Sequence, residues 1–97
     1  MKLVIHAPTP NALERARNNA ANALKAAPDT EVCLILNAGA VAAALYTPHP
    51  MDAYSVLCRI TVERMGLEWQ APLTLTDGPA VLEIAHRQQE SWIYIRA

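Results

Sequence analysis

Glycine, cysteine and charge are all scarce in this chain, and each scarcity narrows what it can do. Only three glycines occur in 97 residues. The turn Asn37-Ala38-Gly39 has too few of them, and no lysine in the required place, for a phosphate-binding loop. That disfavours a flavodoxin-like nucleotide binder. The two cysteines, Cys33 and Cys58, form no C-x-x-C pair, which argues against a disulfide scaffold and a structural zinc site and fits reduced thiols in a cytoplasm. Charged residues make up 18% of the chain, and the basic ones are scattered, so nucleic acid is not an expected partner. No apolar run approaches membrane-spanning length, and the apolar stretch in Met1–His6 is too short for a signal peptide. A cytoplasmic protein with no membrane partner is expected.

Apolar residues, by contrast, reach 53%, with a net charge of -1 and a pI near 6.3. Ninety-seven residues make one domain, residues 1–97, small enough that its surface is expected to be covered in part by further copies of the chain. Short β-prone runs alternate with amphipathic stretches. Lys2–His6 predicts a strand. Thr9-Pro10 predicts an N-cap and first turn for a helix with Leu13, Ala16, Ala20, Leu24 and Ala27 on one side, stopped by Pro28-Asp29. Glu31–Asn37 is nearly all apolar, as suits a central strand, and a short Ala-rich helix follows over about 40–45. Tyr46–Asp52, with its prolines, reads as a loop.

Tyr54–Cys58 predicts a third strand and Arg59–Gly66 a third helix, with Gly66 as its C-cap. Pro72–Thr76 predicts a fourth strand. A fourth helix, capped by Asp77 or Gly78, would bury Val81, Leu82, Ala85 and Gln89. Ser91–Ile95 reads as the last strand. Five strands alternating with four helices imply crossover connections and a mainly parallel sheet, that is, a three-layer α/β/α domain.

Cys58 lies at the junction of the third strand and third helix, where open α/β sheets bind ligands. Helix N–H groups and Arg59 beside it would favour a thiolate, and Thr61 would bond near the sulfur or satisfy the first helical turn. The bland alternative is a small hydrophobe closing a buried strand. Cys33, inside the most apolar strand, reads as core. Asn37 and Gly39 end the second strand on the same edge. His6 ends the first strand there too, as a proton shuttle or as a structural histidine. His49 falls in the loop and His86 on a solvated helix face. Trp92 and Tyr94 share one face of the last strand. Glu63, Glu68, Glu83 and Glu90 read as solvated charges, with no catalytic pair.

Three segments together resemble the DsrE/DsrF-like sulfur-relay family, in particular small stand-alone members with the YchN-type fold. They are Ala16–Leu24 with Glu31–Val41, similar to the family's helix, strand and N-G-x-x-V turn; Cys58–Leu67, similar to its C-x-N-[ST]-L-x-x-x-G-[LI]; and Val81–Ile95, similar to its V-x-x-L ending in Q-x-x-G-[WY]-x-Y-I. Ile60 stands where that pattern has Asn, and Ser91 where it has Gly. The resemblance implies a parallel five-stranded α/β domain assembled as homotrimers or homohexamers, with the cysteine facing an inter-subunit cleft. It also implies that Cys58 carries sulfur as a persulfide to another protein's thiol, with Asn37, Gly39 and Thr61 shaping the pocket, His6 and Arg59 tuning its charge, and no metal or organic cofactor. The alternative from a different class is a non-catalytic homo-oligomeric binding or regulatory module whose inter-subunit cleft takes a ligand, with Cys58 inert.

Overall fold

In the computed structural model, which describes residues 1–97, the alternation becomes five parallel strands and four α-helices. The strands are β1 (Lys2–Ala7), β2 (Glu31–Leu36), β3 (Ser55–Leu57), β4 (Thr74–Leu75) and β5 (Ile93–Arg96). The helices are α1 (Pro10–Ala26), α2 (Gly39–Tyr46), α3 (Arg59–Met65) and α4 (Ala80–Gln89). All neighbouring strands pair in parallel, in the order β4-β3-β2-β1-β5.

That order decides where the helices go. From β1 to β4 the chain steps across the sheet in one direction, and from β4 it returns past β1 to place β5 at the far edge. Right-handed crossovers put helices of opposite stepping direction on opposite faces. The packing follows this rule. Ile5, Leu34, Leu36 and Leu57 point to one face and form the larger core with Ala12, Leu13, Ala16 and Ala20 of α1, Ala40, Val41 and Ala44 of α2, and Val62 of α3. The alternate strand positions Val4, Cys33 and Ile35, with Cys58 just past β3, point to the other face and meet only Ala80 and Ile84 of α4, with Val56 and Trp92. The result is a three-layer α/β/α sandwich with a thick side and a thin one.

Local chemistry sets the element ends. Thr9 accepts the Ala12 N–H at 3.1 Å and Pro10 starts α1. The alanines of its inner stripe, wholly buried, let it approach the sheet closely. Gly66 closes α3 in the left-handed conformation (φ 61°), as its sequence position predicts. The Pro-rich loop contains a 3-10 turn over Pro50–Tyr54, with His49 Nδ1 accepting from Met51 N and Asp52 accepting from His49 N. Asp52 also pairs with Arg17 of α1 at 3.1 Å, and both side chains are 7% exposed.

Several expectations need correction. The fourth strand is two residues long, because Pro72 and Leu73 belong to the turn closed by Leu73 N on Gln70 O. The cap of α4 is Pro79, with no side chain bonded to the helix end, since Thr76 rather than Asp77 organises this turn through Gly78 O. The buried side of α4 is also different. Val81 and Leu82 are 69% and 52% exposed, and Ala85 and Gln89 are exposed. The stripe that meets the sheet is Ala80, Ile84 and Arg87, at helical spacing. Apolar periodicity misses it because Arg87 covers Trp92 with its guanidinium, 4.7 Å from the ring centroid. Glu83 is accordingly not a free solvated charge but accepts from Arg87 at 2.9 Å. Ser91 adopts a left-handed φ of 72°, which ends α4 and delays the last strand to Ile93.

Candidate functional site

The helices that follow β3 and β4 leave the sheet toward opposite faces, so the carboxyl ends of these two strands open a crevice between them. Cys58 occupies that crevice. Its N–H completes the ladder to Leu36 O at 2.8 Å, and its own backbone forms the N-cap of α3. The side chain is only 6% exposed, yet it lines a cavity of about 510 Å³ together with Asn37, Ala38, Thr61, Arg64 and Ala80, among others.

Burial alone would push the Cys58 thiol up. Hydrogen bonds from the Thr61 and Ala80 backbone N–H groups, the Thr61 hydroxyl and the Ile60 N–H outweigh it and hold the thiol below its ordinary value of 9.0. These donors come from the first turns of two helices, α3 on one side of the crevice and α4 on the other. Thr61 is doubly engaged: its hydroxyl also accepts the Ala38 N–H at 3.3 Å. Ala38 adopts φ 48° and ψ -134°, a region nearly reserved for glycine. The turn after β2 is thus held in a costly shape where it borders the thiol.

Thr76, at the end of β4, is the clasp of the crevice. Buried to 1% exposure, it accepts the Arg59 N–H on its hydroxyl at 3.0 Å and the Arg59 Nε–H on its carbonyl at 2.9 Å. Arg59 therefore ties α3 to β4, with Glu63 3.9 Å from its other arm, and the cationic side chain lining the cavity is Arg64.

Of the remaining expected site residues, Asn37 borders the thiol cavity and also a second one, of about 500 Å³, lined by His6, Val81, Ile84, Gln88 and Tyr94. His6 bonds side chains instead of backbone: Nε2 lies 2.9 Å from Asn37 Oδ1 and Nδ1 2.9 Å from the Tyr94 hydroxyl. Gly39 is not brought to the thiol. A Cβ there would meet Pro10 Cδ at 3.2 Å, so its small size serves the approach of α2 to the start of α1. His49 lines a separate cavity of about 360 Å³ between α1 and α2.

Cys33 lies deep in the thin core, and burial raises its thiol to about 11 against a smaller lowering by Arg87. The register pairs Leu36 with Leu57, which offsets the two cysteines by four residues, or roughly 13 Å. A disulfide spans Cα atoms no more than about 7 Å apart, so both thiols are free. No cluster of three or more His, Cys, Asp or Glu side chains could hold a metal ion.

Sequence reasoning missed Thr76, Ala80 and Tyr94. Tyr94 reaches His6 through the β1–β5 register, which sets it beside Val4, two residues before His6 on the same face. Thr76 shares with Cys58 the signal of a strand's carboxyl end. Nothing in the sequence distinguishes Ala80. The fold and the site define a parallel α/β domain with a buried cysteine at its topological switch point. Comparison of the sequence with protein-family models and with curated proteins gives no match.

Proposed function

We propose that this protein is a cysteine-dependent sulfur carrier of the DsrE/DsrF-like kind, with Cys58 holding sulfur as a persulfide between protein thiols. The observation that carries the reading is the place of Cys58, at the start of α3 and lining one cavity with Asn37, Thr61 and Ala80, where N–H groups of Ile60, Thr61 and Ala80 favour its thiolate. Relay chemistry needs a sulfur that attacks as a thiolate and later leaves as one, and the same donors serve both steps.

In the first step the Cys58 thiolate attacks the terminal sulfur of a donor persulfide. A new S–S bond forms, the donor's S–S bond breaks, and the donor departs as a thiolate. In the second, an acceptor thiolate attacks the outer sulfur of the Cys58 persulfide, and Cys58 departs as a thiolate into its ring of N–H groups. Sulfane sulfur and its proton move together, and neither step has a net change of oxidation state. Asn37 and Thr61 border the reacting sulfur, Arg59 fixes the helix that supplies three of the four donor groups, and His6 stands one cavity away.

Two free thiols suit a reducing cytoplasm. Exposed apolar side chains lining the crevice, Ile60, Met65 and Val81, favour homo-oligomers, of which the trimer or hexamer is our reading, with the thiol facing the cleft between copies. The 6% exposure of Cys58 favours a second reading, a non-catalytic binding or regulatory module in which the thiol is inert. Intact mass after incubation with a persulfide donor separates them. A sulfur adduct of about +32 Da that survives Cys33→Ser and vanishes with Cys58→Ser supports the carrier. Absence of an adduct under conditions that load a known carrier rejects it in favour of the binding module.

A further inference from the structure

The cavity lined by His6, Asn37 and Tyr94 adjoins the thiol cavity, sharing Asn37 and Val81 with it. Its chemistry is specific. The His6 ring bridges Asn37 and Tyr94 at 2.9 Å on each side, and an imidazole in its neutral form donates from one nitrogen and accepts at the other. If Nε2 donates to the Asn37 carbonyl oxygen, Nδ1 accepts the Tyr94 hydroxyl proton. The Asn37 NH2 group then remains as a donor and the Tyr94 oxygen as an acceptor. With the Asn37 amide turned over, the polarity of the whole chain reverses, leaving an Asn37 acceptor and a Tyr94 donor. Either arrangement presents one donor and one acceptor.

Gln88 adds a second amide, while Val81 and Ile84 form apolar walls. No carboxylate, lysine or arginine lines this cavity. A phosphate or carboxylate would find no permanently charged side chain, only the His6 imidazole. A neutral group with one N–H and one C=O between apolar flanks satisfies every wall, and that group is a secondary amide.

We propose that this cavity is the recognition subsite for the backbone amide of a cysteinyl substrate, whose sulfur reaches Cys58 through the shared wall of Asn37 and Val81. The inference rests on the carrier reading for the role of Cys58, and it adds the substrate class: a thiol or persulfide flanked by an amide, as in a small peptide thiol or an exposed cysteine segment of a protein. Inorganic polysulfide and amide-free thiols lack the recognised group.

The test uses the full chain carrying Cys33→Ser and three 2-thiopyridyl mixed disulfides, those of N-acetylcysteine methylamide, of 2-mercaptoethanol and of a ten-residue peptide with a central cysteine. In each the Cys58 thiolate displaces the same 2-thiopyridine, and dividing each rate by that of free dithiothreitol with the same reagent removes the intrinsic reactivity of the attacked sulfur and leaves recognition. Two neutral hydrogen bonds predict an amide-over-mercaptoethanol preference of about tenfold, falling to about threefold in Tyr94→Phe. Equal normalised rates for these two reagents overturn the subsite. A faster peptide assigns the substrate to a protein segment, and a slower one to a small peptide thiol.

Should Cys58 react with none of the reagents, the carrier reading fails by itself. The subsite is then decided by NMR titration of Cys58→Ser protein with N-acetylcysteine methylamide. Saturable shifts of the Asn37 and Gln88 side-chain amides sustain it, and their absence overturns it.

Discussion

Thr61→Val removes a single hydroxyl that donates to the Cys58 sulfur and accepts from Ala38 N. A hydrogen bond to a charged group contributes about 1.5 kcal/mol, which is about a tenfold change in the thiol–thiolate equilibrium. Thiolate at a given pH on the acid side of the titration therefore falls about tenfold. The remaining thiolate, less stabilised, is a better nucleophile by about threefold, because reactivity rises with roughly the 0.4–0.5 power of basicity. The net rate of alkylation by a small haloacetamide should drop about threefold on the acid side. On the alkaline side, where both proteins are ionised, it should exceed the wild-type rate by about threefold. The two pH–rate curves must cross, whereas a variant that had merely loosened the crevice would be faster at every pH. Thr61→Ser should restore the wild-type curve. Superimposable curves for wild type and Thr61→Val would falsify the assignment of Thr61 as a donor to the thiol.

Cys33 should make the protein alkali-sensitive. Its thiol ionises at about 11 when folded against 9.0 ordinarily, so above 9 the unfolded chain binds fewer protons and stability falls with pH until about 11. The loss is about 3 kcal/mol, and urea denaturation of Cys33→Ala should lack that component relative to wild type. Asp52→Ala leaves the buried Arg17 charge without its partner and should cost about 3–5 kcal/mol by the same assay, while the double change Arg17→Met with Asp52→Leu should recover most of it. A double variant as unstable as the single would refute this account of the ion pair. Ala38→Gly relieves the left-handed backbone at φ 48° and should raise the unfolding free energy by about 1 kcal/mol, read as a higher urea midpoint. An unchanged or lower midpoint would show that this turn is not strained.

The strand and helix alternation was legible because each strand is a short apolar run bounded by Pro, Gly or Asx signals, and α1 repeats its apolar positions at helical spacing. The junction at Cys58 was legible for the same reason: an apolar run gave way to a charged amphipathic one. What failed lay along the thin side of the sheet. There α4 packs by Ala80 and by the guanidinium of Arg87 over Trp92, so its inward face carries no apolar periodicity, and Val81 and Leu82 draw attention to the wrong side. The site was half legible. Cys58, Asn37 and Thr61 meet as expected, but Arg59 turns to Thr76 and Gly39 serves helix packing, because a residue's place in the chain sets its edge of the sheet and not its side-chain direction. Tyr94 and Thr76 come from strands distant in sequence, and only the β4-β3-β2-β1-β5 order brings them to the site.

The unequal cover of the two sheet faces bears on how this protein can change over generations. Fifteen buried residues hold the thick side, where a lost methylene leaves a cavity and substitutions are severely penalised. The walls that would read a substrate, Val81, Ile84 and Gln88, stand instead on α4, whose contribution to the main core is nil. Surface substitutions typically move stability by no more than about 0.5 kcal/mol, so Val81 and Gln88 can be exchanged while the domain keeps its fold. Substrate preference is therefore free to drift on one helix while the cysteine, its donors from α3 and the bulk of the scaffold stay fixed.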